Sequence, residues 1–317
     1  MTEVQVNGLR GIDLGVFDLV ESAEFYEKAW GLEPVYRDDH KVHFRASGIQ
    51  HHVLTLHRRP SAGLVSLNLS AADRATVDAL HERVAGLGAR ISQTPDAIAP
   101  EDGGGYGFEL VTPDGNPVKV SSDAMQWEVA PNDGSRPEAI SHVVLNSSDM
   151  MKECDFFIEA LGFHHSDTMD FMRFIRCDSV HHQIAVARGS GTSFNHVAYS
   201  IRDLEGVMRA TGRVRAAGCE LGWGVGRHAG PGHNVFAYFR DPNGFAIEYT
   251  TGMEVLGDDY EDRGVEFWRA QPLQPCSWAG KANRPSPEQA KAMAGKVVAE
   301  RNALLDQAAP DRTVGPG

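Results

Sequence analysis

Two histidines and a glutamate in this chain are spaced for metal chemistry. His142 and His196 stand 54 residues apart and Glu248 follows 52 residues later. Each lies in a short segment whose apolar and polar residues alternate with the period of a half-buried strand. Three such donors on one face hold a divalent ion and leave its other positions open for a chelating substrate and O2. This is the 2-His-1-carboxylate set of non-haem Fe(II) centres, and Mn(II) accepts similar N and O ligands. A lone histidine in an apolar strand is usually a core residue, but a carboxylate turned into a core is costly unless paired or coordinated.

The chain supplies its own control, because three phrases recur in the same order about 130 residues apart. FYEKAWGL (25–32) matches FFIEALGF (156–163), IQHHVLTL (49–56) matches VHHQIAVA (180–187), and TPDGNPVKV (112–120) matches DPNGFAIEY (241–249). A residue needed only for folding would be acceptable in both copies. Yet Gly11 stands opposite His142, Ser66 opposite His196 and Lys119 opposite Glu248. A glycine and a hydroxyl are poor replacements for imidazoles, and an ammonium repels a cation. The second copy is therefore expected to bind metal and the first is not.

The elements that must position these residues read alike in both copies, which predicts an α+β fold used twice. Each has an apolar strand, a helix of about a dozen residues ending at Gly31 or Gly162, two strands around a turn, and a further strand. A second helix follows (roughly 71–87 and 203–218, ending near Gly86 or Gly218), then a hairpin turning at Pro-Asp-Gly or Pro-Asn-Gly. The division is a metal-free repeat over 1–123, a turn-rich linker over 124–138, a catalytic repeat over 139–252 and a tail over 253–317. In the tail, Ser286, Pro287 and Gln289 form a helix start. Ala290, Met293, Ala294, Val297, Val298, Leu304 and Leu305 would then share one stripe of an amphipathic helix over 287–306, facing the body or another subunit.

Composition excludes several classes. A chain of 317 residues exceeds one ordinary domain, and 42% apolar with 23% charged residues is the balance of a globular protein. The net charge of −13 opposes nucleic acid and anionic membrane surfaces. Cys154, Cys177, Cys219 and Cys276 lie far apart without CxxC spacing, so they read as reduced thiols. The start, MTEVQVNGLRGIDLG, has no basic leader or apolar core, and no apolar run is long enough to span a membrane. A cytoplasmic protein is expected.

The stretch GRHAGPGHNVFAYFRDPNGFAIEY (226–249) resembles the signature of the type I extradiol ring-cleavage dioxygenases of the vicinal oxygen chelate superfamily, and the likeness extends over about residues 8–250. The resemblance implies two tandem domains, each of paired βαβββ modules forming an open, barrel-like mixed sheet around a central cavity. It implies Fe(II) held by His142, His196 and Glu248, with Mn(II) meeting the same donors. It makes His181, the first of a His-His pair, the acid–base group, with His182 facing the other side because neighbouring strand residues alternate. The first copy carries His51-His52 in the matching place without ligands.

By the same likeness His228 and Tyr238 hold the substrate oxygens, and Asn234 and Phe194 line the pocket. The pocket's width depends on side chains that include Phe194, Trp223, Phe236, Phe245 and Tyr249, and the sequence does not say which of them point inward. His40, His43, His57, His81, His164 and His165 are left as surface or packing residues. The implied reaction, of the kind used in aromatic hydrocarbon catabolism, opens a catechol with O2 beside its diol, giving a muconic-semialdehyde-type product in a homo-oligomeric enzyme. Two alternatives stand: a metal-dependent isomerase or lyase of the glyoxalase or epimerase kind, and a metal-free binding protein. The first of these usually draws ligands from both repeats, whereas Gly11, Ser66 and Lys119 offer none.

Overall fold

The computed structural model describes residues 4–257 and 259–308. The first repeat runs β1 (Val6–Val16), α1 (Leu19–Glu24) continuing through a π-helical turn over Phe25–Trp30, β2 (Glu33–Arg37), β3 (Lys41–Arg45) and β4 (Leu54–Arg58). A second module of the same plan follows: β5 (Gly63–Ala71), α2 (Arg74–Gly86), β6 (Arg90–Ala97), β7 (Tyr106–Val111) and β8 (Pro117–Ser122). The second repeat repeats both modules. The first is β9 (Ala139–Ser147), α3 (Met150–Leu161), β10 (His164–Met169), β11 (Met172–Arg176) and β12 (Ile184–Arg188). The second is β13 (Ser193–Ser200), α4 (Leu204–Ala216), β14 (Trp223–Arg227), β15 (Val235–Arg240) and β16 (Ala246–Thr251).

Each repeat forms one eight-stranded mixed sheet, ordered β2-β3-β4-β1-β5-β8-β7-β6 and β10-β11-β12-β9-β13-β16-β15-β14. The first strands of the two modules pair antiparallel, β1 with β5 and β9 with β13, and each also pairs parallel with the last strand of its own module. Local sequence explains the helices. Asp18, Asp73, Asp149 and Asp203 cap their N-termini by accepting backbone N–H groups. Gly31 and Gly162, with φ of 87° and 77°, end the first helix of each repeat in the left-handed conformation.

The Pro-Asp-Gly and Pro-Asn-Gly turns do more than reverse the chain, because each grips the first helix of the other repeat. In the 112–116 turn, Thr112 Oγ1, Asp114 N–H and Asn116 Nδ2 all donate to the fully buried Glu153 of α3. In the 241–244 turn, Asp241 accepts from Tyr26 and Asn243 donates to Ser22. Trp30 stacks on Tyr249 of β16 with 3.8 Å between ring centroids, and Tyr249 donates to the Trp30 carbonyl. One continuous core results, running through both repeats.

The tail departs from expectation. It forms α5 (Val265–Arg269), α6 (Pro287–Met293) and α7 (Lys296–Ala308) instead of one helix over 287–306. Gly295, at φ 70°, breaks it, and a β-carbon there would press within 2.7 Å of Ser193 Oγ. Of the expected apolar stripe, Met293, Val297 and Val298 are half-buried, and Val298 packs on the main core. Gln289 and Ala292 point inward, while Leu304 and Leu305 are exposed. No helix among the described residues is long and apolar enough to cross a membrane.

Candidate metal centre

His142, His196 and Glu248 come from three adjacent strands at the middle of the second sheet, β9, β13 and β16. Ala198 pairs with His142 on one side and Glu248 on the other, and His196 precedes Ala198 by two residues. The strand period therefore sends all three side chains to one face, and the small Ala198 leaves room between them. His142 Nε2 and His196 Nε2 lie 3.3 and 3.2 Å from Glu248 Oε2 and 3.4 Å from each other. All three residues are buried, and they are the only such cluster of His, Cys, Asp and Glu among the described residues.

The hydrogen bonds around the cluster leave its inner atoms free. Ser141 Oγ lies 3.2 Å from His142 Nδ1, and Asn195 Oδ1 lies 2.8 Å from His196 Nδ1, so each imidazole can hold its proton on the outer nitrogen and offer Nε2 inward. Asn234 donates to Glu248 Oε1 and to Thr250. Glu248 Oε2 is fully buried with no hydrogen-bond donor among the described residues. A buried carboxylate oxygen left bare between two imidazole nitrogens is what a divalent ion would satisfy, so the residues present fit the metal. Burial pushes the Glu248 carboxyl up, but the two imidazoles outweigh it and hold the group below the usual carboxylate range.

The cluster closes one end of a cavity of about 440 Å³. Its ionisable side chains are His142, His182, His196, His228 and Tyr238, and most of the remaining wall is apolar, including Val144, Met169, Phe174, Trp223, Leu273 and Met293. Tyr238 stands directly across from Glu248 in the β15–β16 pairing, and its hydroxyl lies 3.3 Å from His228 Nε2. Burial, then the charge of Glu248, raises Tyr238 well above the ordinary phenol, keeping it a donor. Burial lowers His228 to about 4, so its ring is neutral near pH 7. Trp223 stacks on Tyr238 at 5.0 Å, and Phe236 backs His228 at 4.2 Å.

Two expected positions change. His182, not His181, lines the cavity, with its ring 4.6 Å from that of His142. His181 is fully buried and turns away onto Asp167. The pair sits in an irregular turn before β12, where strand alternation does not carry. Phe194 is not in the cavity wall. It packs on Phe245 in the main core, because a bulge between Phe194 and His196 breaks the alternation of β13. Phe245 and Tyr249 share that core, so of the aromatic residues whose direction the sequence left open, Trp223 is the one in the described cavity wall. Sequence reasoning missed Ser141 and Asn195, although each is the immediate neighbour of a ligand, and it missed Met169 and Leu273; Met293, expected only in the tail's apolar stripe, also reaches the cavity.

The profile of the Glyoxalase/Bleomycin resistance protein/Dioxygenase superfamily matches residues 8–120 and 139–249. The chain belongs to that superfamily. Metapyrocatechase 2 of Cupriavidus necator is 30% identical over 181 residues, covering 50% of this chain and 56% of that protein. The chain thus spans about half the length of the curated relatives it matches. A Mn(II)-bound glyoxalase from Novosphingobium aromaticivorans is 36% identical over 90% of this chain and 94% of its own, with a TM-score of 0.83. Homoprotocatechuate 2,3-dioxygenase of Brevibacterium fuscum shares the fold at 21% identity and a TM-score of 0.79, covering 90% of this chain and 92% of that one.

Proposed function

We propose that the protein is an extradiol ring-cleavage dioxygenase, opening a catechol with O2 at a divalent ion, Fe(II) or Mn(II), held by His142, His196 and Glu248. The observation that carries this reading is the bare, buried Glu248 Oε2 between two imidazoles at the end of an apolar cavity. When bound, the ion supplies Lewis acidity and open positions at which diol and O2 meet. Tyr238 and His228 hold the substrate oxygens and orient the ring. The His182 ring, on the opposite wall, accepts a proton from the diol and returns it to the opening ring. Asn234 lines the cavity and also steadies Glu248. Among the described residues the wall contains no lysine or arginine, which favours an uncharged ring over a carboxylated one.

A Mn(II)-dependent glyoxalase-type reaction is the second reading, favoured by the Novosphingobium protein. Oxygen uptake separates them. After reconstitution with Fe(II) or Mn(II), the dioxygenase consumes one O2 per ring opened and produces the semialdehyde absorbance. No ring-opened product from any catechol with either metal sinks the reading. Work in the cytoplasm and assembly as a homo-oligomer belong to the same proposal, supported by the free thiols and the exposed Leu304 and Leu305. Compartment is tested by fractionation and assembly by light scattering.

A further inference from the structure

Behind His182 lies a chain of buried groups that the reaction as described does not use. His182 Nδ1 is 2.9 Å from His181 Nδ1, and His181 Nε2 is 3.0 Å from Asp167 Oδ2. His181 and Asp167 are both fully buried. The other Asp167 oxygen, Oδ1, accepts from the Tyr260 hydroxyl at 2.8 Å and from the Arg263 N–H at 2.9 Å. A buried carboxyl is costly unless its oxygens find partners, and three groups from two chain segments surround this one.

The donor assignment follows along the chain. Asp167 is an acceptor, so His181 Nε2 carries the proton. In a neutral imidazole the other nitrogen then accepts, so His182 Nδ1 must donate to His181 Nδ1. That leaves His182 Nε2 unprotonated on the ring that lines the cavity. We propose that Asp167 and His181 are positioning residues that fix His182 in the tautomer able to take a proton from the substrate, with Tyr260 and Arg263 of the tail holding Asp167 in place. The inference rests on the acid–base role proposed for His182.

The first repeat supplies the contrast. His51 and His52 keep the same contact, 2.9 Å between their Nδ1 atoms. In the strand pairing, however, Tyr36 occupies the place of Asp167, and His51 stacks on Trp127 without hydrogen-bonding a carboxylate among the described residues. The paired histidines are thus shared by the fold, while the carboxylate and its tail donors belong to the repeat with the metal ligands.

Asp167→Asn is the test. The amide would present a donor to His181 Nε2 and reverse the chain, leaving His182 protonated on Nε2. In 15N-histidine spectra of the metal-free protein, His182 is expected to change from the Nδ1-protonated to the Nε2-protonated form. With the reconstituted enzyme, kcat for ring opening falls about a hundredfold or more while KM and bound metal stay within twofold, as expected for a wrong tautomer. Asp167→Glu restores part of the rate. An unchanged tautomer, or kcat within twofold of wild type, overturns the proposal. If the wild type opens no catechol the dioxygenase reading fails, and the tautomer measurement still decides this one. If Asp167→Asn does not fold, Tyr260→Phe carries the test. A loss in kcat of about threefold or more supports the chain, and an unchanged kcat overturns it.

Discussion

The two repeats share one backbone plan and differ in what their sheets enclose. Where the second repeat has His142, the first has Gly11, and a β-carbon there would lie 3.1 Å from the Val53 carbonyl oxygen. Where the second has a buried carboxylate with a bare oxygen, the first has Lys119, 3.9 Å from Glu109. The space itself is used differently. In the first repeat Asp13 accepts from Asn68 at 2.7 Å and pairs with His57 at 3.2 Å, while His43 meets Thr55 and Asp102, each at 2.9 Å. In the second repeat, Val144 takes the place of Asp13 and Phe174 that of His43, and both line an open cavity. One interior is closed by its own hydrogen bonds, and the other is left apolar with unsatisfied ligands at its end. The fold therefore does not specify chemistry; a few side chains and the tail do.

Replacing Glu248 by the residue of the sister copy should have the largest effect. Glu248→Lys is expected to empty the site of metal and reduce ring opening by at least about a thousandfold, read by metal analysis and oxygen uptake. The reverse graft, Gly11→His with Ser66→His and Lys119→Glu, should add no second ion, because a side chain at position 11 crowds the Val53 backbone; an added ion breaks the comparison. Trp30→Ala removes the aromatic stack that joins the repeats and should cost about 3–5 kcal/mol in denaturant unfolding. A loss under about 1 kcal/mol would mean that the repeats do not depend on this contact.

The histidine pairs sharpen the comparison further. His182→Gln should lower kcat about a hundredfold, the scale of a general acid–base group, whereas His52→Gln leaves kcat within twofold. Equal effects would remove the functional distinction between the pairs. Phe194→Leu should matter least, costing about 1 kcal/mol of stability with the order of preference among catechols unchanged. A changed substrate order would return Phe194 to the cavity wall.

How much was legible in the sequence follows from where regular geometry held. The duplicated modules and the three ligands are readable because strand alternation is unbroken at His142, His196 and Glu248, and because a sister copy shows what the fold alone requires. Alternation misled where the backbone leaves it. Val144 and Ala185 lie on the cavity side of their strands. Counting back from Ala185 puts His181 in the cavity, but the turn before β12 substitutes His182. The bulge in β13 displaced Phe194 in the same way. In the tail, Gly295 divided a stripe that the apolar pattern alone had made continuous. Asp167 gave no signal, since its value depends on Tyr260 and Arg263, more than 90 residues away.

The central claim is a single metal centre in the second repeat. Metal analysis of the protein reconstituted with Fe(II) or Mn(II), combined with anomalous diffraction, tests it most directly. The account predicts one ion per chain, located between His142, His196 and Glu248 and lost in Glu248→Lys. An ion in the first repeat, or full metal content retained in Glu248→Lys, would contradict it.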